Sequence, residues 1–126
     1  MSISGTVLVV GQNLVFMPRV QAAAQAVGCD VRLARSVEAF QEAFERSEPS
    51  LVLVDLEGDT DTWTGVLEGV GKSGGSGVRL VAFGPHEDLA GMERARNLGC
   101  DPVLTKGQFS RDLPTIIEMA RSGPAS

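Results

Sequence analysis

What most constrains this chain is an alternation: five short apolar runs rich in β-branched residues, separated by segments whose apolar residues recur at helical spacing. The runs are Thr6 to Val10, Cys29 to Leu33, Leu51 to Leu56, Val78 to Phe83 and Val103 to Thr105. Each has the length of a strand. Between them, Phe16, Val20, Ala23 and Val27 share one helical face, as do Val37, Phe40 and Phe44, and again Leu89, Met92, Ala95 and Leu98. A further helix is expected after Phe109, with Leu113, Ile116, Ile117 and Ala120 turned inward. Pro114 would then sit in its first turn, where a missing N–H is tolerated, and Ser110 or Asp112 would cap it. From Asp59 to Gly77, Trp63, Leu67 and Val70 keep helical spacing but glycines interrupt them, which predicts a short, weak helix. Alternating strands and helices require crossover connections, and hence a parallel sheet covered on both faces. The expected fold is α/β, doubly wound.

The 126 residues make one domain, 1–126, with a core from about 5 to 121 and a flexible tail at 122–126. The 15 Gly and 6 Pro fall between the apolar blocks and act as punctuation. No apolar run approaches the ~18 residues of a membrane span, and the N-terminus lacks the basic and apolar regions of a signal peptide. A cytoplasmic protein with no membrane partner is expected. Eleven Lys and Arg against sixteen Asp and Glu give a net charge of −5, a field that repels polyanions, so no nucleic-acid partner is expected either.

The two cysteines stand in echoing contexts, Val27-Gly28-Cys29-Asp30 and Leu98-Gly99-Cys100-Asp101. Each places a glycine helix cap just before a strand. In a sheet of order 2-1-3-4-5, the second and fifth strands are opposite edges, too far apart for a disulfide. Both cysteines should be reduced, structural thiols.

In a doubly wound sheet, ligands and reactive groups gather beyond the carboxyl ends of the strands. That rule selects Gly11, Gln12 and Asn13 after the first strand and Asp55 at the third. It also selects Gly84, Pro85 and His86 after the fourth, and Lys106 after the fifth. The acids Asp55, Glu57, Asp59 and Asp61 alternate like a calcium loop, but Thr60 and Val66 stand where that loop needs glycine and glutamate.

A five-stranded α/β chain with Leu51-Val52-Leu53-Val54-Asp55-Leu56 at its centre and Val103-Leu104-Thr105-Lys106 near its end resembles the receiver domain of bacterial response regulators. The resemblance covers nearly the whole chain. It implies the CheY-like, flavodoxin-like (βα)5 fold with strand order 2-1-3-4-5. It implies that Asp55 is the phosphoacceptor candidate, served by a histidine kinase, and that Lys106 would neutralise the phosphate. Gln12, Asn13, Gly84 and His86 complete the expected phosphate and pocket contacts.

The departures from the family pattern are equally specific. Gly11-Gln12 replaces two adjacent acids, Gly84 replaces a Ser or Thr, Val103 replaces an aromatic, and Gly107 replaces a proline. Mg²⁺ prefers hard oxygen ligands including one or two carboxylates, so Gly11 and Gln12 disfavour it. No cofactor is expected, and Glu57 and Asp59 are the remaining metal candidates. An Asp55–Lys106 ion pair is expected, with backbone N–H groups as the alternative partners of Asp55. Trp63 is read as a core or lid residue. The expected function is that of an atypical, stand-alone pseudo-receiver in signal transduction, not an enzyme, which docks a signalling protein or a second copy of itself without phosphorylation. The alternatives are a phosphoacceptor with unusual metal ligation and a small-ligand sensor around Gln12, Asn13, Asp55 and His86.

Overall fold

A computed structural model describes residues 5–12, 14–72 and 78–121. Its five parallel strands are β1 (Thr6–Val10), β2 (Asp30–Ala34), β3 (Leu51–Asp55), β4 (Arg79–Gly84) and β5 (Val103–Thr105). They lie in the order β2-β1-β3-β4-β5, the CheY-like arrangement. A 3₁₀ turn at Leu14–Phe16 leads into α1 (Met17–Ala26), followed along the chain by α2 (Val37–Ser47), α3 (Thr60–Lys72), α4 (Leu89–Asn97) and α5 (Lys106–Arg121). The tail at 122–126 lies outside the described residues.

The strand period of two divides the core into two layers. Val7, Val9, Leu51, Leu53, Val81 and Phe83 face α1 and α5, where Val20, Ala24, Phe109, Leu113 and Ile117 meet them. Leu8, Val10, Val52, Val54 and Ala82 face α2, α3 and α4, where Phe40, Trp63, Leu67 and Met92 meet them. The central strand β3 is buried along its whole length, whereas the edge strands β2 and β5 are largely half-buried or exposed.

The echoed cysteine contexts are paired Schellman caps. Cys29 and Gly28 donate their N–H groups to Ala24 and Gln25, and Cys100 and Gly99 donate theirs to Ala95 and Arg96. Gly28 and Gly99 have φ of 77° and 109°, a region costly for residues with a Cβ. Gly99→Ala should therefore lower stability by about 1–2 kcal/mol in a urea melt, since the Leu80 methyl 3.6 Å from the new Cβ offers only ordinary contact. The cap also explains why β2 begins at Asp30 and not at Cys29. Cys29 and Cys100 are buried, unpaired and in opposite core layers. Burial pushes the Cys100 thiol up to about 12.

Two helices differ from expectation. The short, weak helix expected between Asp59 and Gly77 is a 13-residue α3. Three internal glycines oppose it by about 1 kcal/mol each, but burying Trp63, Val66, Leu67 and Val70 contributes about 1.5–3 kcal/mol apiece. Asp59 caps it, accepting the Thr62 N–H at 2.9 Å and the Thr62 hydroxyl at 2.8 Å.

Similarly, α5 starts at Lys106, well before Phe109, so Pro114 is interior and neither Ser110 nor Asp112 is the cap. The cap is a reciprocal box: Gln108 N–H donates to Thr105 Oγ1 at 3.1 Å, and Thr105 N–H donates to Gln108 Oε1 at 2.9 Å. Pro114 costs about 3 kcal/mol inside a helix, less than the burial of Phe109, Leu113, Ile116 and Ile117 returns. Ser110 accepts a hydrogen bond from Arg19 Nη1, and Asp112 pairs with Arg111.

Candidate functional site

Asp55 ends β3 on the carboxyl edge of the sheet and is 2% exposed. Its Oδ1 accepts the Glu57 backbone N–H at 3.0 Å, while Oδ2 is buried with no hydrogen-bond partner. The backbone bond matches the alternative reading of this residue in the sequence. Burial lifts the Asp55 carboxyl above its ordinary range. The Glu57 N–H opposes that shift, the Glu57 carboxylate reinforces it, and Lys106 opposes it least.

The space around Oδ2 is very small. Gly11, Gln12, Gly58, Asp59 and Trp63 help enclose a cavity of about 10 Å³, roughly the room one water needs. A Cβ at Gly11 would come within 2.9 Å of the Asp55 Cβ, so the backbone of the first loop lies directly against the carboxylate. Trp63, expected in the core or as a lid, is 2% exposed and lines this cavity, and its Nε1 is also without a partner. Asn13 lies outside the described residues.

Lys106 corrects the expected Asp55–Lys106 pair. Its Nζ forms an ion pair with Glu57, and lies 5.6 Å from the centroid of the Phe16 ring. That ring packs edge-on against Phe83 and Phe109, which stack on each other at 3.9 Å. The ammonium is thus held between an aromatic face and a carboxylate two residues beyond Asp55. Both side chains of the pair are about one-third exposed, so water screens the attraction. Lys106→Ala should accordingly cost about 1 kcal/mol or less in a denaturant melt, far below a core truncation.

The remaining predicted contacts are dispersed. His86 is largely exposed, 3.6 Å from Glu87, in an open groove with Glu57, Thr105, Lys106 and Gly107. It precedes α4 without entering it, because Asp88 is the cap and accepts the Gly91 N–H at 3.0 Å. Gly84 abuts Leu56, whose Cβ would lie 3.0 Å from a Cβ added at this position. A hydroxyl-bearing side chain there requires Leu56 to shift. Gln12 lines the Asp55 cavity, apart from the groove that holds Lys106 and His86.

The fold family implies a Mg²⁺ ion beside Asp55, and the residues present do not fit one. Octahedral Mg²⁺ is bound through one or two carboxylates and keeps several waters, so it needs more room than about 10 Å³. Asp59 Oδ2 is occupied by the α3 cap and Glu57 by Lys106. Among the described residues no group of three His, Cys, Asp or Glu side chains converges as a metal site.

Sequence reasoning missed the role of Glu57 as the partner of Lys106, and the aromatic platform of Phe16 beneath it. Helical spacing had marked Phe16 only as a core residue, and nothing local in the sequence joins it to Lys106.

No protein-family model matches the chain, and no curated protein does. Its fold does match solved structures across nearly its whole length. One is a CheY-like response regulator receiver domain protein from Methanospirillum hungatei, with a TM-score of 0.77 and 19% identity, covering 94% of each chain. Another is the signal receiver domain of an HD domain-containing protein from Pseudomonas fluorescens, with a TM-score of 0.78 and 17% identity over 94% of this chain and 95% of that one. A third is the receiver domain of the Francisella response regulator 1452, with a TM-score of 0.75 and 13% identity over 94% and 97%. The chain has the receiver fold.

Proposed function

We propose that this chain is a receiver-like signalling module that docks a partner protein, or a second copy of itself, without a phosphorylation cycle. The observation that carries this reading is the state of the phosphoacceptor position. Asp55 is enclosed in a cavity with room for about one water, Gly11 and Gln12 supply no carboxylate beside it, and Lys106 is engaged by Glu57. Phosphoryl transfer to a carboxylate needs charge neutralisation around the incoming group, and this pocket offers little. Val103 and Gly84 also lack the ring and hydroxyl through which a phosphorylated receiver would signal. In this reading the chain is not an enzyme, needs no cofactor and works in the cytoplasm. Among the described residues no helix is long and apolar enough to cross a membrane.

The docking face in this reading is formed by α4, β5 and α5. β5 is a three-residue edge strand, and Leu89 at the start of α4 leaves 72% of its surface in water. Affinity capture from the native lysate, confirmed reciprocally and combined with light scattering, tests the proposal. The expected result is a partner or dimer that Leu89→Lys abolishes and Asp55→Asn leaves intact. A persistent monomer that captures nothing reproducible contradicts it. A second reading, Asp55 as a phosphoacceptor, draws on its place at the carboxyl end of β3, and intact mass spectrometry after incubation with acetyl phosphate separates the two.

A further inference from the structure

A cleft of about 270 Å³ separates α2 from α3 and shares no lining residue with the Asp55 cavity or with α4, β5 and α5. Phe40, Phe44, Val66 and Val70 wall it, and Gly65 and Gly69 leave it open. The two phenyl rings lie 5.4 Å apart and form an aromatic wall. Packing accounts for only one of the glycines. A Cβ at Gly65 would press to 3.1 Å from Val37, but one at Gly69 would meet only Gln41, at an ordinary 3.8 Å. Glycine inside a helix weakens it relative to alanine, so Gly69 keeps the cleft open at the expense of α3.

The charge around the cleft is one-sided. Between them α2 and α3 carry five carboxylates, Glu38, Glu42, Glu45, Asp61 and Glu68, against the two cations Arg46 and Lys72. Among the described residues none of the five carboxylates forms an ion pair. Glu38, Glu42 and Glu45 follow one another at helical spacing along the solvent side of α2, and Glu45 stands at the mouth of the cleft. An apolar slot beside a row of uncompensated carboxylates matches an amphipathic cation and repels nucleic acid and acidic peptides.

We propose that the α2–α3 cleft docks a basic amphipathic segment of another protein. One large apolar side chain enters over Gly69 against Phe40 and Phe44, and lysines or arginines of the same segment lie along Glu38, Glu42 and Glu45. The mode is that of an amphipathic helix in a groove, with the anchor giving affinity and the rim giving orientation and salt dependence. This inference does not rest on the docking face proposed above, and the two surfaces are separable by mapping.

The test uses a short helical peptide built of leucine and lysine, with a leucine–glutamate counterpart as control. Binding is followed by fluorescence anisotropy and by backbone amide shifts of the labelled full chain. Expected are shifts confined to α2 and α3, no binding of the acidic peptide, and affinity that falls about tenfold in Gly69→Leu, which fills the cleft. Glu42→Lys with Glu45→Lys should produce a similar loss. These two positions are exposed, so the charge variant keeps the test valid if Gly69→Leu does not fold. Absence of binding, shifts centred on α4, β5 and α5, or affinity unchanged in the folded variants would each overturn the proposal.

Discussion

Replacing Gly11 by aspartate is expected to destabilise the protein by about 3–5 kcal/mol at neutral pH, as measured by urea unfolding. The substitution restores an acid that receiver domains place after the first strand, yet here it meets two obstacles. The new Cβ would lie 2.9 Å from the Asp55 Cβ, an atom fixed to the backbone of the most deeply buried strand, so the loop or β3 must move. The new carboxylate would also face the unpartnered Oδ2 across a cavity of only about 10 Å³. Gly11→Ala separates the two effects: it retains the steric part, about 1–3 kcal/mol, and lacks the charge. Mutual repulsion raises the folded-state pKa of both acids. The excess cost of Asp over Ala should therefore be largest at neutral pH and shrink as pH falls and the pair takes up protons. An aspartate variant as stable as wild type would mean that the first loop is not seated on Asp55.

Asp55→Asn is expected to act in the opposite direction, stabilising the fold by about 1–3 kcal/mol at pH 7. The amide keeps an oxygen to accept the Glu57 N–H and removes a buried charge whose second oxygen has no partner. The pH dependence follows from linkage. Burial raises the folded-state pKa of Asp55 above its unfolded value, so the folded state holds the proton more tightly. The resulting advantage is fully present below the unfolded pKa and is lost as pH rises through the folded one. Wild type should thus lose ground to the variant on going from acid to neutral pH, and the two should converge as pH falls towards the ordinary aspartate range. Equal stabilities throughout would show that Oδ2 is satisfied in solution. Trp63 lines the same cavity, so its fluorescence should follow the same titration in wild type and remain flat in Asp55→Asn.

The sheet was legible in the sequence because a strand buried on both faces has little freedom of composition, and Leu51 to Val54 carries no polar residue. The strand order came from a resemblance and agrees with the observed pairing, including Asp55 opposite Phe83. The glycine caps before β2 and β5 could be read because a positive φ at a helix end favours that residue, although Glu48 holds a φ of 47° at the end of α2.

Other features were less accessible, each for a physical reason. The length of α3 was underestimated because helix propensity counts the glycines, whereas burial of Trp63, Val66, Leu67 and Val70 decides the outcome. The start of α5 has a readable signal, Thr105-Lys106-Gly107-Gln108, which is the spacing of a capping box, but Pro114 points to a later start because proline is best tolerated in a first turn. The partner of Lys106 had no such signal. Topology brings the lysine to the edge of the sheet that holds Asp55, but two carboxylates lie two residues apart there, and only side-chain geometry selects Glu57.

The phosphorylation-independent reading is tested most directly by intact mass spectrometry of the whole chain after incubation with acetyl phosphate and Mg²⁺ or Mn²⁺. Asp55→Asn serves as the negative control, and a receiver domain that retains its acidic pair as the positive one. The expected result is no phosphoryl adduct on this chain under conditions that label the positive control. An adduct present in the wild type and absent in Asp55→Asn would contradict the reading and establish Asp55 as a working phosphoacceptor.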